Sequence, residues 1–274
     1  HIRPPYGFLH QGNQDEAEFA ANAASWLDDQ INEIGASNVA AFVAEPIQGA
    51  GGVIVPPAGY FKHIQEICRR HDILFVADEV ITGFGRTGQW FASQTMELEP
   101  DMMALAKGLT SGYVPMSAVM VGDRVANKLI ADGGEFYHGF TYSGHPVAAA
   151  VALANLELIE REDMITRVRE DTGPYLAEAL APLAEHRIVG EIRTFGVLAA
   201  IELVKSKDGP EMFEDTGATG VICRDHAINR GLMMRAVRDA MILSPALTYS
   251  RADIDETVRI AAQALDATAD QLGL

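Results

Sequence analysis

Two residues in this 274-residue chain combine a reactive side chain with the setting that chemistry needs: Asp78 and Lys107. Each falls at the end of an apolar run, Ile73-Leu-Phe-Val-Ala-Asp78-Glu-Val and Met102-Met-Ala-Leu-Ala-Lys107-Gly. Runs of this length, rich in branched residues and ended by polar or glycine-rich turns, read as buried strands of a parallel sheet. Ligands of such sheets sit outside the carboxyl ends of the strands, so one crevice would receive a carboxylate and an amine. A lysine able to form a Schiff base and an acid able to hold a proton on a pyridine nitrogen are what pyridoxal phosphate requires. Lys107 is expected to project into that crevice desolvated, which disfavours the ammonium form and supplies a neutral amine. Each residue alone also has a plain explanation. A lysine leaving a sheet at its solvent edge looks the same, and acids such as Asp78 and Glu79 at strand ends also cap turns or bind metal.

Three further segments carry polar chemistry. Phe136-Tyr-His-Gly-Phe-Thr141-Tyr-Ser-Gly-His-Pro146 offers hydroxyls and amides ahead of a helix start, a natural place for a phosphate, although Thr141 and Ser143 could equally serve as N-caps. His138 and His145 have no acidic or cysteine partner at ligand spacing, so no metal site is read there. Gln48-Gly-Ala-Gly-Gly52 is followed by Val-Ile-Val-Pro-Pro rather than by a helix and fails as a dinucleotide loop. Arg235 lies in an extended stretch and could form a bidentate pair with a substrate carboxylate, or be an ordinary surface arginine.

The elements that must position these residues alternate. Asp15 to Ile34 has helical spacing and ends near Gly35; Val39 to Glu45 reads as a strand stopped by Pro46. A helix is expected from Pro57 to Arg70, the next strand from Ile73 to Val80, and further strands around Leu105 and at Val119-Met120. Pro146 is placed to start an alanine-rich helix through Glu160. Helix alternating with strand implies crossover units and a mostly parallel sheet with helices on both faces, in an α/β domain over residues 1–160. Beyond about Asp163 the order becomes helix to Ala184, extended Ile188–Leu203, helix Gly217–Arg230, extended Leu232–Leu247 and a last helix from Ala252. That suits a smaller α+β domain over residues 161–274, with a polar, exposed loop from Lys205 to Asp215.

Composition narrows the function classes. Lys plus Arg total 21 against 38 Asp plus Glu, a formal charge of -17, which argues against nucleic acid or an anionic membrane as partner. The 2 cysteines, Cys68 and Cys223, stand far apart and indicate neither a disulfide framework nor a thiolate metal site, in keeping with a reducing, cytoplasmic compartment.

In order and spacing, Ala44-Glu-Pro-Ile-Gln-Gly49, Val76-Ala-Asp-Glu-Val-Ile-Thr-Gly-Phe-Gly-Arg-Thr-Gly88, Ala104-Leu-Ala-Lys-Gly-Leu109 and Gly139-Phe-Thr-Tyr-Ser-Gly-His-Pro146 resemble the class III, fold-type I pyridoxal-phosphate-dependent aminotransferases. The likeness runs through nearly the whole chain. It implies Lys107 as the Schiff-base lysine, Asp78 as the pyridine-nitrogen partner and Val80 against one ring face. Glu45 would be a supporting residue beside the cofactor. Thr141, with the Phe140 backbone, would reach the cofactor phosphate of a neighbouring subunit, which implies a homodimer with shared active sites. Family members using 2-oxoglutarate carry a glutamate after the Gln-Gly pair and an arginine ahead of the late proline motif; here those places hold Ala50 and Ile242. Together with Ile81 and with Arg235, which matches the mobile arginine of the omega-transaminases, this implies transfer from a primary amine or omega-amino acid donor to pyruvate. The family also carries, ahead of the point matching His1, a segment with a phosphate loop and a ring-stacking aromatic, so the chain is read as lacking that N-terminal segment.

Overall fold

Asp15 opens the first long helix with a reciprocal cap: its carboxylate accepts from the Glu18 N–H at 2.8 Å while the Glu18 carboxylate accepts from the Asp15 N–H at 3.4 Å. The helix ends at Gly35, whose φ of +88° only glycine adopts without strain. These details come from a computed structural model, which describes residues 1–207 and 211–274. The chain divides into two units, His1–Ile47, Val55–Gly85 and Gln89–Asp163 forming one, and Gln48–Ile54, Arg86–Gly88 and Met164–Leu274 the other.

In the first unit the order is α1 (Gly7–His10), α2 (Glu16–Ile34), β1 (Ala41–Ala44), α3 (Tyr60–Arg70), β2 (Leu74–Asp78), α4 (Ala92–Thr95), β3 (Met102–Leu105), β4 (Ala118–Val121), α5 (Asp123–Asp132) and α6 (Pro146–Arg161). The sheet runs β1-β2-β3-β4; β1, β2 and β3 are parallel and β4 returns antiparallel to β3. Alternation along β1 and β2 points Phe42 and Phe75 to one face, where α2 and α3 cover them with Phe19, Ile31, Phe61 and Ile64. Complete burial of one such side chain stabilises the unit by about 1.5–3 kcal/mol. Val43, on the other face of β1, is exposed. The helix expected from Pro57 starts at Tyr60, because Gly59 at φ +86° precedes it and Pro57 stays in the approach turn. Pro146 does stand in the first turn of α6, where its missing N–H costs nothing.

The second unit contains α7 (Met164–Arg167), α8 (Gly173–Leu180), β5 (Val189–Phe195), β6 (Leu198–Leu203), α9 (Ala218–Ile228), β7 (Arg235–Val237), β8 (Ala240–Leu243) and α10 (Arg251–Leu272). Its antiparallel sheet runs β5-β6-β8-β7. β6 is central and buried along its whole length, and its outer residues share one core with α8, α9 and α10. The α9 backbone approaches the sheet so closely that a Cβ on Gly220 would lie 2.1 Å from the Arg238 carbonyl oxygen. The buried Asp239 carboxylate accepts there from the Gly217 and Gly220 N–H groups, both at 2.9 Å. Arg193 on β5 is buried and donates to Glu202 at 2.7 Å, Glu191 at 2.6 Å and the Gly52 carbonyl at 2.7 Å. That side chain explains why the Gln48–Ile54 turn belongs with this unit, a placement the glycine-rich sequence does not announce. In the polar loop, Lys205, Lys207 and Glu211 are exposed, and residues 208–210 lie outside the described residues.

Candidate active site

The parallel register brings three of the residues singled out above to one sheet edge. Ala44 of β1 pairs with Ala77 of β2, so Glu45 and Asp78 leave neighbouring strand ends together. Asp78 in turn pairs with Ala104 of β3, and Lys107 follows three residues later. Asp78 is half-buried, and its Oδ1 accepts from the Val80 N–H at 3.0 Å. That bond turns the chain just beyond β2 and leaves Oδ2 without a partner among the described residues. Lys107 opens the short helical turn Lys107–Leu109 with a φ of +42°, a left-handed conformation uncommon for a residue with a Cβ.

Two neighbours hold that turn. Asn155 of α6 donates through Nδ2 to the carbonyls of Gly108 at 2.8 Å and Leu109 at 3.2 Å. On its other side Phe84 fills the space a side chain at position 108 would need: a Cβ on Gly108 would sit 2.9 Å from the Phe84 Cβ. The sequence hides both contacts, since Asn155 is one polar residue in an alanine-rich helix and Phe84 lies in a turn. The Lys107 side chain is exposed, which corrects the expectation of a desolvated amine: the chain turns outward directly after β3, and no described residue covers it. No carboxylate pairs with it among the described residues.

Glu79, the acid beside Asp78, is fully buried. It accepts from Ser93 N–H and Ser93 Oγ, both at 2.6 Å, from Ala92 N–H at 3.1 Å and from the Thr82 hydroxyl. A turn-capping role was foreseen for acids at this strand end, but not a carboxylate sealed inside the fold. Alternation along β2 was the available signal, because Asp78 and Glu79 must point to opposite sides.

The Phe140-Thr141 segment is exposed, with Phe140 at 78%. Neither Thr141 nor Ser143 caps α6: His145 holds the N-cap position without a side-chain bond, and Ser143 Oγ accepts from the Phe140 N–H at 2.9 Å. A pocket of about 740 Å³ separates Val114–Ser117 from the segment leading into α6, with Phe140, Ser143 and His145 on its wall. Arg235 belongs to the second unit, exposed at the start of β7 and opposite Ile242 of β8. Its guanidinium has no hydrogen-bonding or ionic partner among the described residues.

The donor set fits pyridoxal phosphate, since a carboxylate with an open oxygen and an unpaired primary amine leave adjacent ends of parallel strands. The mixed, mainly parallel sheet with its helices is the architecture shared with the pyridoxal-phosphate-dependent transferases of fold type I. The sequence model of the family Aminotransferase class-III matches residues 3–265. The chain is 53% identical over 269 residues to putrescine–pyruvate aminotransferase of Pseudomonas aeruginosa, a match covering 98% of this chain and 59% of that protein. It is 40% identical over 268 residues to vanillin aminotransferase of Capsicum annuum, covering 97% of this chain and 58% of the relative. Among solved structures, the omega transaminase from Pseudomonas jessenii in complex with PMP superposes with a TM-score of 0.94 at 40% identity, covering all of this chain and 61% of that one. The chain belongs to the class III aminotransferase family. It spans about three fifths of the length of these relatives.

Proposed function

We propose that the protein containing this chain is a pyridoxal-phosphate-dependent aminotransferase that moves an amino group from a primary amine or omega-amino acid to pyruvate, giving alanine. One observation carries the reading: Asp78 and Lys107 leave adjacent parallel strands with Asp78 Oδ2 and the Lys107 amine both without a partner among the described residues. Pyridoxal phosphate, when bound, supplies an aldehyde that condenses with primary amines and a protonated ring that accepts the electron pair of a broken Cα–H bond. Asp78 keeps the proton on the ring nitrogen, because opposite charges in contact favour both charged forms. Val80, set by its N–H bond to Asp78, would lie against the ring. The Lys107 amine would hold the aldehyde carbon of the cofactor, would release it to the donor amine and, once free, would serve as the base that moves the proton taken from the donor Cα. Glu45, at the neighbouring strand end, supports the cofactor's surroundings without a chemical step of its own.

The exposed Thr141 hydroxyl is suited to a phosphate presented by a second copy of the chain, and the Phe140 N–H would join it by exchanging its bond to Ser143 Oγ, which makes the working species a homodimer with shared active sites. Large exposed side chains beside them, Tyr137 at 86% and Tyr142 at 80%, suit burial in such an interface. Arg235 takes the acceptor carboxylate in a bidentate pair, and its free, exposed guanidinium lets it withdraw when an uncharged donor group occupies the same place. The pyruvate in the name of the Pseudomonas aeruginosa relative supports this acceptor. Steady-state assays of the full-length protein with pyruvate and with 2-oxoglutarate test it. Pyruvate should give the higher kcat/KM, and Arg235→Ala should raise KM for pyruvate about tenfold or more, a charge-assisted pair being worth about 1.5–3 kcal/mol. Equal or better turnover with 2-oxoglutarate would overturn the assignment of acceptor.

A further inference from the structure

We propose that Glu79 is a positioning residue: it does not touch the cofactor but fixes the backbone on which Asp78 and Val80 are presented. The inference rests on the cofactor reading above. In the extended chain leaving β2 the side chains alternate, so Glu79 turns away from the side used by its two neighbours. It enters a fully buried place where both carboxylate oxygens are saturated, Oε1 by the Ser93 N–H and hydroxyl, Oε2 by the Ala92 N–H and the Thr82 hydroxyl. Its backbone is tied as well, the N–H to Ala104 O at 3.0 Å and the carbonyl to Gly83 N–H at 2.9 Å. A buried carboxylate is tolerated only when its hydrogen-bonding capacity is met, and a fully satisfied one makes a rigid anchor. Asp78 has much less to fix it. Among the described residues its side chain makes one bond, to the amide of Val80, and that amide lies directly beyond Glu79.

Replacement by glutamine shows why the charge matters. An amide has one accepting end, and each end of Glu79 meets a backbone N–H. If the NH₂ faces Ser93, the Ser93 N–H loses its acceptor; if it faces Thr82, the Ala92 N–H does. The serine and threonine hydroxyls can rotate to accept, but the backbone groups cannot. One buried N–H is orphaned in either orientation, and the corner from Val80 to Ser93 must shift to expose it.

A double-mutant cycle on cofactor affinity tests the inference in the full-length apoprotein. The probe is pyridoxamine 5′-phosphate, which lacks the aldehyde and so does not react with Lys107. Dissociation constants are measured by titration calorimetry for the wild type, Glu79→Gln, Asp78→Asn and the double variant. Glu79→Gln should weaken binding about tenfold when Asp78 is present and less than about twofold in the Asp78→Asn background, the coupling expected of residues acting through one another. Ser93→Ala, which removes a single hydroxyl donor, should show the same pattern at about threefold, and it carries the cycle if Glu79→Gln does not fold. Equal losses in both backgrounds, or no loss at all, would overturn the positioning role while leaving the cofactor reading intact. A wild-type protein that does not bind the probe would overturn that reading, and the inference with it.

Discussion

Gly108→Ala is the most direct perturbation of the turn that presents Lys107. A Cβ there would lie 2.9 Å from the Phe84 Cβ and 3.0 Å from its Cδ2, against about 3.5–4.0 Å for carbon atoms at rest. Phe84 has little room to retreat. It is 5% exposed, sits at φ +59°, donates its N–H to Trp90 O at 2.6 Å and packs its ring edge-on to Phe91. Asn155 also ties the carbonyls of Gly108 and Leu109, so a shift of residues 107–109 to relieve the strain would stretch those bonds. Overpacking of this kind costs about 1–3 kcal/mol. At about 1–2 °C per kcal/mol for a protein longer than 250 residues, the melting temperature should fall by roughly 1–6 °C. Differential scanning calorimetry of the full-length protein, with and without pyridoxal phosphate, measures it, and the rate of pyridoxal phosphate capture should drop in parallel. A variant that melts no lower than wild type and captures the cofactor at the same rate would refute the account of how Lys107 is held.

Other consequences follow from the same packing. Arg193→Met should cost about 3–5 kcal/mol in urea unfolding, because the buried Glu202 loses its closest cation and the Gly52 carbonyl a donor; pairing it with Glu202→Leu should recover much of the loss. Burial pushes both thiols, Cys68 and Cys223, up to about 11, so neither should react with a disulfide reagent at pH 8 until the protein unfolds. The sign of the linked stability follows. Unfolded thiols ionise near pH 8.5 and folded ones near 11, so stability should hold below about pH 8.5 and fall as pH rises beyond it. A flat stability profile from pH 8 to 10.5 would contradict that burial.

Asp78 and Lys107 were legible in the sequence because β2 and β3 are continuous apolar runs, and a polar residue at the end of such a run stands out, although the two strands are only partly buried. The helices α2, α6 and α10 were legible for a similar reason: each joins an apolar stripe to a recognisable start, at Asp15, Pro146 or near Ser250. α5 went unforeseen because it is short, ten residues, and its one apolar stripe, Val125, Ala126 and Leu129, follows Gly122 with no capping side chain to mark a start. The interactions that hold the site were illegible for another reason. Glu79 meets Ser93 across 14 positions, Asn155 meets Gly108 across 47, and Arg193 meets Gly52 across 141. Periodicity describes which way a residue faces within its own element; what it meets there is decided by the tertiary fold. The exposure of Lys107 belongs to the same class, since a run of apolar residues says nothing about which segments wall the crevice beyond its end.

The central claim is that Lys107 is the amine that holds pyridoxal phosphate. Borohydride reduction of the full-length protein incubated with pyridoxal phosphate, followed by peptide mass spectrometry, tests it directly. One phosphopyridoxyl adduct is expected on the peptide containing Lys107, and none in Lys107→Ala. An adduct confined to another lysine, or one that survives in Lys107→Ala, would contradict it.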